Sequence, residues 1–311
     1  MQVFHGAGDV PAGFGPSAVT IGKFDGLHVG HRAVIAQLRA LAGDSLTPVV
    51  VTFDRNPLEL LRPDASPGPL VGTDQKLNLL ADAGVDAVLV LTFDRALADL
   101  EPEAFAADVL AGPLGMRRIL VGQDFRFGHR GRGDVALLAA AGARLGFDVT
   151  VQDEVSEASR RVSSTWIREL LAAGAIEEAA QLLGRPPSVR GEVVHGAHRG
   201  RELGYPTANL AERSDGMIPA DGVYAGRLVD HAVEPPAVYP AAISVGSNPT
   251  FTGVPPKQVE AYVLDRTLDL YGHVVDIVFT HRIRGQVAYE GVEPLIAQMA
   301  MDVAQVRTLA G

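Results

Sequence analysis

The sequence predicts two domains of different class: an α/β domain built on a parallel sheet, then an all-β domain closed by a terminal helix. Three observations carry this. The chain has 311 residues, against the ~100–200 of a single domain. From residue 17 to about 152, short β-branched runs alternate with helix-length segments, the pattern of a parallel sheet with crossover helices. After Pro187 the texture changes to brief alternating runs punctuated by Gly, Pro and Asn.

In chain order, "AVTIG" (18–22), "VVVTF" (49–53), "AVLVLTF" (87–93), "RILVG" (118–122) and "FDVTV" (147–151) read as strands apolar throughout, as burial on both faces requires. Helices fit between consecutive strands. Further helices are expected from Ser164 and over Ile176–Leu183, and "GRPP" (184–187) then breaks the chain. The boundary is placed there, giving domains 1–185 and 186–311. Beyond it, "SVRGEVVH", "DGVYAGRLV", "YPAAISVG", "QVEAYVLD" and "HVVDIVFTH" suggest a small antiparallel barrel or sandwich, with 229–240 as a loop and a helix over 292–309.

Composition narrows the function classes. Hydrophobic residues are 47% and charged residues 21%, with a net charge of −10. Both halves are acidic, whereas nucleic-acid binding usually leaves a basic footprint, so no nucleic-acid partner is expected. There is no cysteine, which removes disulfides, thiolate metal sites and thiol nucleophiles. No run reaches the ~18 apolar residues of a membrane span, and the start lacks a basic region followed by an apolar one. The expectation is a cytoplasmic protein without a membrane partner; self-association is left open.

"GKFDGLHVGH" (22–31) falls where the first strand gives way to a helix. Gly22 and Gly26 permit a tight turn, and the helix N-terminus attracts anions. His28 and His31, three apart, share a face of the first turn, where both imidazoles could meet one phosphate. Taken alone, the pair could equally be metal ligands or surface residues. "VGQDFRFGHRGRGD" (121–134) follows the fourth strand and reads as a flexible ligand loop, with Asp124 for polar contact and Phe127 for stacking; a solvated arginine loop is the bland alternative. In "RRVSSTWIREL" (160–170), Ser164 and Thr165 open a helix with Arg168 one turn on, a phosphate clamp in form, though capping alone explains the hydroxyls. In "HGAHRGRELGYPTANL" (195–210), an extended segment would direct Thr207 and Asn209 to one side, where two neutral oxygens suit a hard cation; a lone Thr-x-Asn is more often a polar turn.

Taken in order, "GxFDGxHxGH", "VGxDFRFG" and "SSTxIR" resemble the nucleotidyltransferases marked by His-x-Gly-His, specifically the FAD synthetase module of the bacterial bifunctional riboflavin kinase/FAD synthetases. "GYPTAN", "DGVYAG", "AAISVGSNPTF", "VEAYVLD" and "DLYG" resemble riboflavin kinase. The resemblance implies a Rossmann-like first domain and a six-stranded antiparallel barrel with a terminal helix. It implies phosphorylation of riboflavin to FMN and adenylylation of FMN to FAD, with ATP as co-substrate and Mg²⁺ as cofactor. By motif, His28 and His31 would stabilise adenylyl transfer. Gly22, Phe24, Asp25, Gly26, Ser164, Thr165 and Arg168 would bind ATP, as would Thr207 and Asn209, which also hold the metal. Glu260 would be general base on the ribityl 5′-hydroxyl. Asp124, Phe127 and Asn56 would lie near the flavin. Many relatives carry histidine where this chain has Asn56 before Pro57; asparagine can hydrogen-bond there but cannot become cationic.

Two other readings follow from the same residues. In one, the barrel only binds flavin or regulates; the presence of Thr207, Asn209 and Glu260 counts against it. In the other, the chain is a non-catalytic flavin- or RNA-binding protein; its acidity and the histidine pair count against that.

Overall fold

The structure is a computed structural model and describes residues 1–152, 156–157, 160–196, 203–247 and 257–310. Parts of two motifs, 197–202 and 248–256, lie outside the described residues. The chain divides into two compact units, Met1–Pro67 with Thr73–Ser163, and Gly68–Gly72 with Ser164–Gly311.

The first unit is a six-stranded parallel sheet: β1 (Gln2–His5), β2 (Ser17–Ile21), β3 (Thr47–Phe53), β4 (Ala87–Leu91), β5 (Met116–Gly122) and β6 (Asp148–Gln152). Its spatial order is β1-β4-β3-β2-β5-β6. Helices α1 (Val29–Ala42), α2 (Pro57–Leu61), α3 (Thr73–Asp82) and α4 (Val135–Leu145), with a helical run over 102–114, provide the crossovers. The continuous apolar runs have a direct cause. Val49, Val51, Ala87 and Leu89 pack into one core layer with Phe105 and Leu110, while the alternating Val50, Val88 and Val90 pack into the other with Ile35 and Leu38. Each face of the sheet is covered, so the buried residues of the central strands are apolar except Ser17, Thr20 and Thr52, whose hydroxyls donate to backbone oxygens. From β2 the chain builds outward to β3 and β4, then returns to place β5 on the other side of β2. The ends of β2 and β5 therefore flank the topological switch point, where ligands of open α/β sheets bind.

Two sequence expectations need correction here. β1 was not foreseen; its four residues are too few for a pattern, and it pairs with β4 at the sheet edge. β6 was expected to be buried on both faces, but its side chains are mostly exposed because it forms the opposite edge.

The second unit contains a closed antiparallel barrel. After the two-residue hairpin strands β7 (Ser156–Glu157) and β8 (Arg160–Arg161) of the first unit come the barrel strands β9 (Ser188–Val194), β10 (Ala208–Leu210), β11 (Gly222–Asp230), β12 (Ala237–Ser247), β13 (Lys257–Val263) and β14 (Val274–Arg284). Their order is β10-β13-β12-β11-β14-β9, closed by β10 against β9. The barrel alternative is thus realised over the sandwich. Along β13, buried Val259, Ala261 and Val263 alternate with Glu260 and Tyr262, which are only half-buried. That alternation sends Glu260 out of the barrel interior. The interior includes the fully buried rings of Tyr224 and Phe279, edge-to-face at 5.4 Å. The terminal helix α7 (Val292–Ala310) lies on the outer surface, where Val303 and Val306 pack on Ala225, Ala242 and Tyr262. Helices α5 (Ser164–Ala173) and α6 (Ile176–Leu183) begin where the sequence placed them and belong to this unit; Arg282 donates to Ala173 O at 2.8 Å. The expected loop over 229–240 is half strand: Asp230 pairs with Ala237, so the hairpin turn covers 231–236 and the rest belongs to β11 and β12. It resembles a loop in sequence because Asp230, Pro235 and Pro236 lie beside and on that turn.

Candidate active sites

At the switch point, the backbone between β2 and α1 is contorted. Phe24, Gly26 and Leu27 take φ of 48°, 78° and 40°. Left-handed geometry suits Gly26 but strains the other two by about 1–3 kcal/mol each. Burial of Phe24 and Leu27, at 2% and 0% exposure, holds them there, as does the Thr52 hydroxyl bonded to Lys23 O at 3.1 Å. Gly22 donates its N–H to Val51 O, so that group serves the sheet.

His28 is the N-cap of α1, and its Nδ1 accepts from His31 N at 3.3 Å. An accepting Nδ1 carries no proton, so the neutral ring carries it on Nε2. The two imidazoles stack at 3.7 Å between centroids, and Phe24 packs on His31 at 5.1 Å. His31 Nδ1 is buried without a hydrogen-bond partner among the described residues. Burial first, then the fields of His28, Lys23 and Arg161, push the His31 pKa well below its ordinary value. A helix N-terminus, a stacked imidazole pair and two permanent cations make a site for an anion.

The depressed pKa has a stability consequence. The folded state holds His31 neutral, whereas the unfolded chain protonates it below about pH 6.5. Its contribution is therefore complete above that pH and falls away on acidification, by at most ~1.4 kcal/mol per pH unit. The urea midpoint should drop between pH 7 and 5.5 more steeply in the wild type than in His31→Gln; equal slopes would contradict this account.

The loop after β5, expected to be a flexible ligand loop, folds back on itself. Phe127 and Gly133 exchange backbone hydrogen bonds of 3.1 and 2.9 Å, closing a tight turn. Phe127 is 5% exposed, with its ring packed on Phe105 and Phe125 in the core; it shapes the loop, and the half-buried Phe125 is the more accessible ring. Two of the arginines face carboxylates of their own unit: Arg126 lies 3.4 Å from Asp134 and Arg132 bonds Glu101. Asp124 pairs with Arg161 at 3.1 Å, which ties this loop to the cationic surroundings of His31.

Asn56 caps α2. Its Oδ1 accepts from Leu58 N, while its own N–H donates to Glu59, each at 3.2 Å. That completes a capping box. Sequence reasoning missed Lys23, Arg161 and Lys76. Lys76 on α3 is 9% exposed and donates to Phe53 O at 2.8 Å, and burial lowers its pKa against the opposing pull of Asp25 and Asp54. Nothing in "TDQKLNLL" marks it, since a lysine on a helix is ordinarily solvated.

In the second unit, Ser164 opens α5 and Thr165 is exposed in its first turn. Arg168, one turn on, donates to Gly68 O at 2.9 Å, a structural bond the sequence did not foresee.

Thr207, Asn209 and Glu260 come together. Register sets Asn209 opposite Glu260 across β10 and β13. The Thr207 hydroxyl donates to Glu260 Oε2 at 3.3 Å and accepts from Asn209 Nδ2 at 3.3 Å. That amide also donates to Thr207 O at 3.1 Å. Thr207 and Asn209 line a cavity of about 430 Å³ bounded by Arg266, Leu268, Leu270 and Tyr271. The His195 ring lies against Tyr271 at 3.9 Å. Among the described residues no group of three or more His, Asp or Glu could cage a metal. Two neutral oxygens beside one carboxylate instead fit a hard cation that keeps most of its waters and arrives on a phosphate chain.

Gly196 gives Asn209 its space: a Cβ there would lie 2.5 Å from the Asn209 amide carbon and oxygen. Gly196→Ala must therefore turn the amide out of place. We expect at least a tenfold loss of any activity that depends on the Thr207–Asn209–Glu260 cluster, measured against an activity served by the first unit as control.

A model of FAD synthetase matches residues 12–166, and a model of riboflavin kinase matches residues 183–310. The bifunctional riboflavin kinase/FMN adenylyltransferase of Escherichia coli K12 is 38% identical over 294 residues, covering 94% of this chain and 92% of its own. The chain belongs to the bifunctional riboflavin kinase/FMN adenylyltransferase family. Its Pseudomonas fluorescens member is 35% identical across 100% of this chain and 98% of its own. A solved structure described as a macrolide-efflux protein of Streptococcus pneumoniae shares the whole architecture, with a TM-score of 0.85, 30% identity and 98% of each chain covered. The efflux description concerns that protein; no helix among the described residues of this family member is long and apolar enough to cross a membrane.

Proposed function

We propose that the chain makes flavin cofactors in two steps: it phosphorylates riboflavin to FMN with ATP, then adenylylates FMN with a second ATP to give FAD and pyrophosphate. The observation that carries this is full-length likeness to bifunctional relatives in a chain that has both a switch-point histidine pair and the Thr207–Asn209–Glu260 cluster.

We assign phosphorylation to residues 186–311. Glu260 accepts the proton of the ribityl 5′-hydroxyl, whose oxygen then attacks the γ-phosphorus of ATP as ADP leaves. Thr207 holds that carboxylate in place, and the Thr207 hydroxyl and Asn209 Oδ1 would hold Mg²⁺. When bound, that ion would neutralise charge on the phosphate oxygens. The donor chemistry of the cluster supports this choice of ion.

We assign adenylylation to residues 1–185. The phosphate oxygen of FMN attacks the α-phosphorus of ATP and displaces pyrophosphate. His28 Nε2–H, His31 and the N-terminus of α1 stabilise charge on the oxygens of that phosphorus. The cations Lys23 and Arg161 support the same reading, as do the motif positions of Gly22, Phe24, Asp25 and Gly26. Ser164, Thr165 and Arg168 serve the triphosphate, and Asp124 and Asn56 the flavin side. Phe127 shapes the flavin loop through the core, and Phe125 is the ring offered for stacking. A cytoplasmic setting is part of the proposal on the sequence reading alone.

Supplied with FMN, ATP and Mg²⁺, the protein should release one pyrophosphate per FAD formed. ADP in place of pyrophosphate would overturn the assignment.

A further inference from the structure

The row of side chains containing Glu260 continues onto a third strand. β12 pairs with β13 so that Ser244 stands directly opposite Glu260, as Asn209 does on the other side. Residues directly opposite in an antiparallel pair project from the same face, with Cβ atoms about 4.5–5.5 Å apart. Burial agrees: Ile243 and Val245 are fully buried inside the barrel, whereas Ser244, like Glu260, is half-buried on the outer face. Asn209, Glu260 and Ser244 therefore form one polar row across β10, β13 and β12.

Gln286, just after β14, governs Ser244. Its Nε2 donates to Val245 O at 2.9 Å and to Ser244 Oγ at 3.2 Å. The Val245 carbonyl can only accept, which fixes the amide with its NH₂ group toward β12. That group takes a lone pair of the Ser244 oxygen and cannot accept its proton. Among the described residues Ser244 donates to no acceptor, so its O–H remains for whatever lies beside Glu260.

We propose that Ser244 is a substrate-contacting residue of the kinase site. Its hydroxyl donates to the 4′-hydroxyl oxygen of the ribityl chain, next to the 5′-hydroxyl that Glu260 deprotonates, and Gln286 is the positioning residue that turns the Ser244 proton toward it. The inference rests on Glu260 being the base. Ser244 keeps its own proton throughout; only the 5′-hydroxyl proton moves, to Glu260. A polyol has several similar hydroxyls, and a second contact next to the reacting one selects which is presented. Sites that hydrogen-bond a hydroxyl discriminate strongly against analogues lacking it.

The test compares wild type, Ser244→Ala, Ser244→Thr, Gln286→Ala and Glu260→Gln with riboflavin and 4′-deoxyriboflavin. One neutral hydrogen bond corresponds to roughly a tenfold change. Ser244→Ala should lower kcat/KM for riboflavin about tenfold and leave that for 4′-deoxyriboflavin unchanged, with KM for ATP unaltered. Ser244→Thr should restore most of the loss. Gln286→Ala, at an exposed position, should show a smaller loss of the same kind. Equal losses on both substrates, or none on either, while Glu260→Gln is inactive, would overturn the Ser244 assignment alone. Retained phosphorylation in Glu260→Gln would instead overturn the base on which it rests.

Discussion

Glu260→Gln stops FMN formation and leaves FAD synthesis from supplied FMN at the wild-type rate. The substitution keeps the size of the side chain and an oxygen that can accept from Thr207, now 3.3 Å away, so the Thr207–Asn209 arrangement persists. It removes the ability to take a proton. A positioned general base is worth about 10²- to 10⁴-fold, so kcat for riboflavin phosphorylation should fall within that range. Rates of FMN production and of FAD production from FMN, measured on one preparation, check it. A loss of both reactions in a folded protein would contradict the assignment of Glu260 to one site.

His28→Ala should do the converse, abolishing adenylylation by about 10²- to 10³-fold, the cost of removing one preorganised donor to a developing oxyanion, while phosphorylation continues. Alanine also removes the cap on His31 N, which costs ~1 kcal/mol of stability. His28→Asn separates the effects: its side-chain oxygen can still cap the helix, but no donor remains at the Nε2 position. Equal catalytic losses in the two variants, with a smaller fall in melting temperature for asparagine, identify the Nε2–H donor as the source. Full adenylylation in His28→Asn would reduce His28 to a cap.

The fold was legible wherever burial imposed a period. The parallel strands were found because both faces of the sheet are covered, and β13 because its valines alternate with outward residues. Legibility failed at edges and turns. β6 was found as a strand but its burial was misjudged, because it has one neighbour; β1 is four residues long, and the β11–β12 hairpin carries its prolines near the turn. The sites divide in the same way. His28 and His31 are three apart, so local helix geometry alone joins them. Thr207, Asn209 and Glu260 are joined by the register of the barrel, which spacing does not reveal, and resemblance to riboflavin kinase supplied that link. Phe127 was given a stacking role that its burial argues against. Lys76 and Arg161 were missed because a buried or site-facing cation looks in sequence like any solvated one.

In the proposed function, one chain holds two separable sites joined by FMN. The most direct measurement mixes Glu260→Gln with His28→Ala and supplies riboflavin, ATP and Mg²⁺. Alone, Glu260→Gln should make neither product and His28→Ala should make only FMN; together they should make FAD, separated by chromatography. FAD from Glu260→Gln alone, or none from a mixture in which FMN accumulates, would contradict the account.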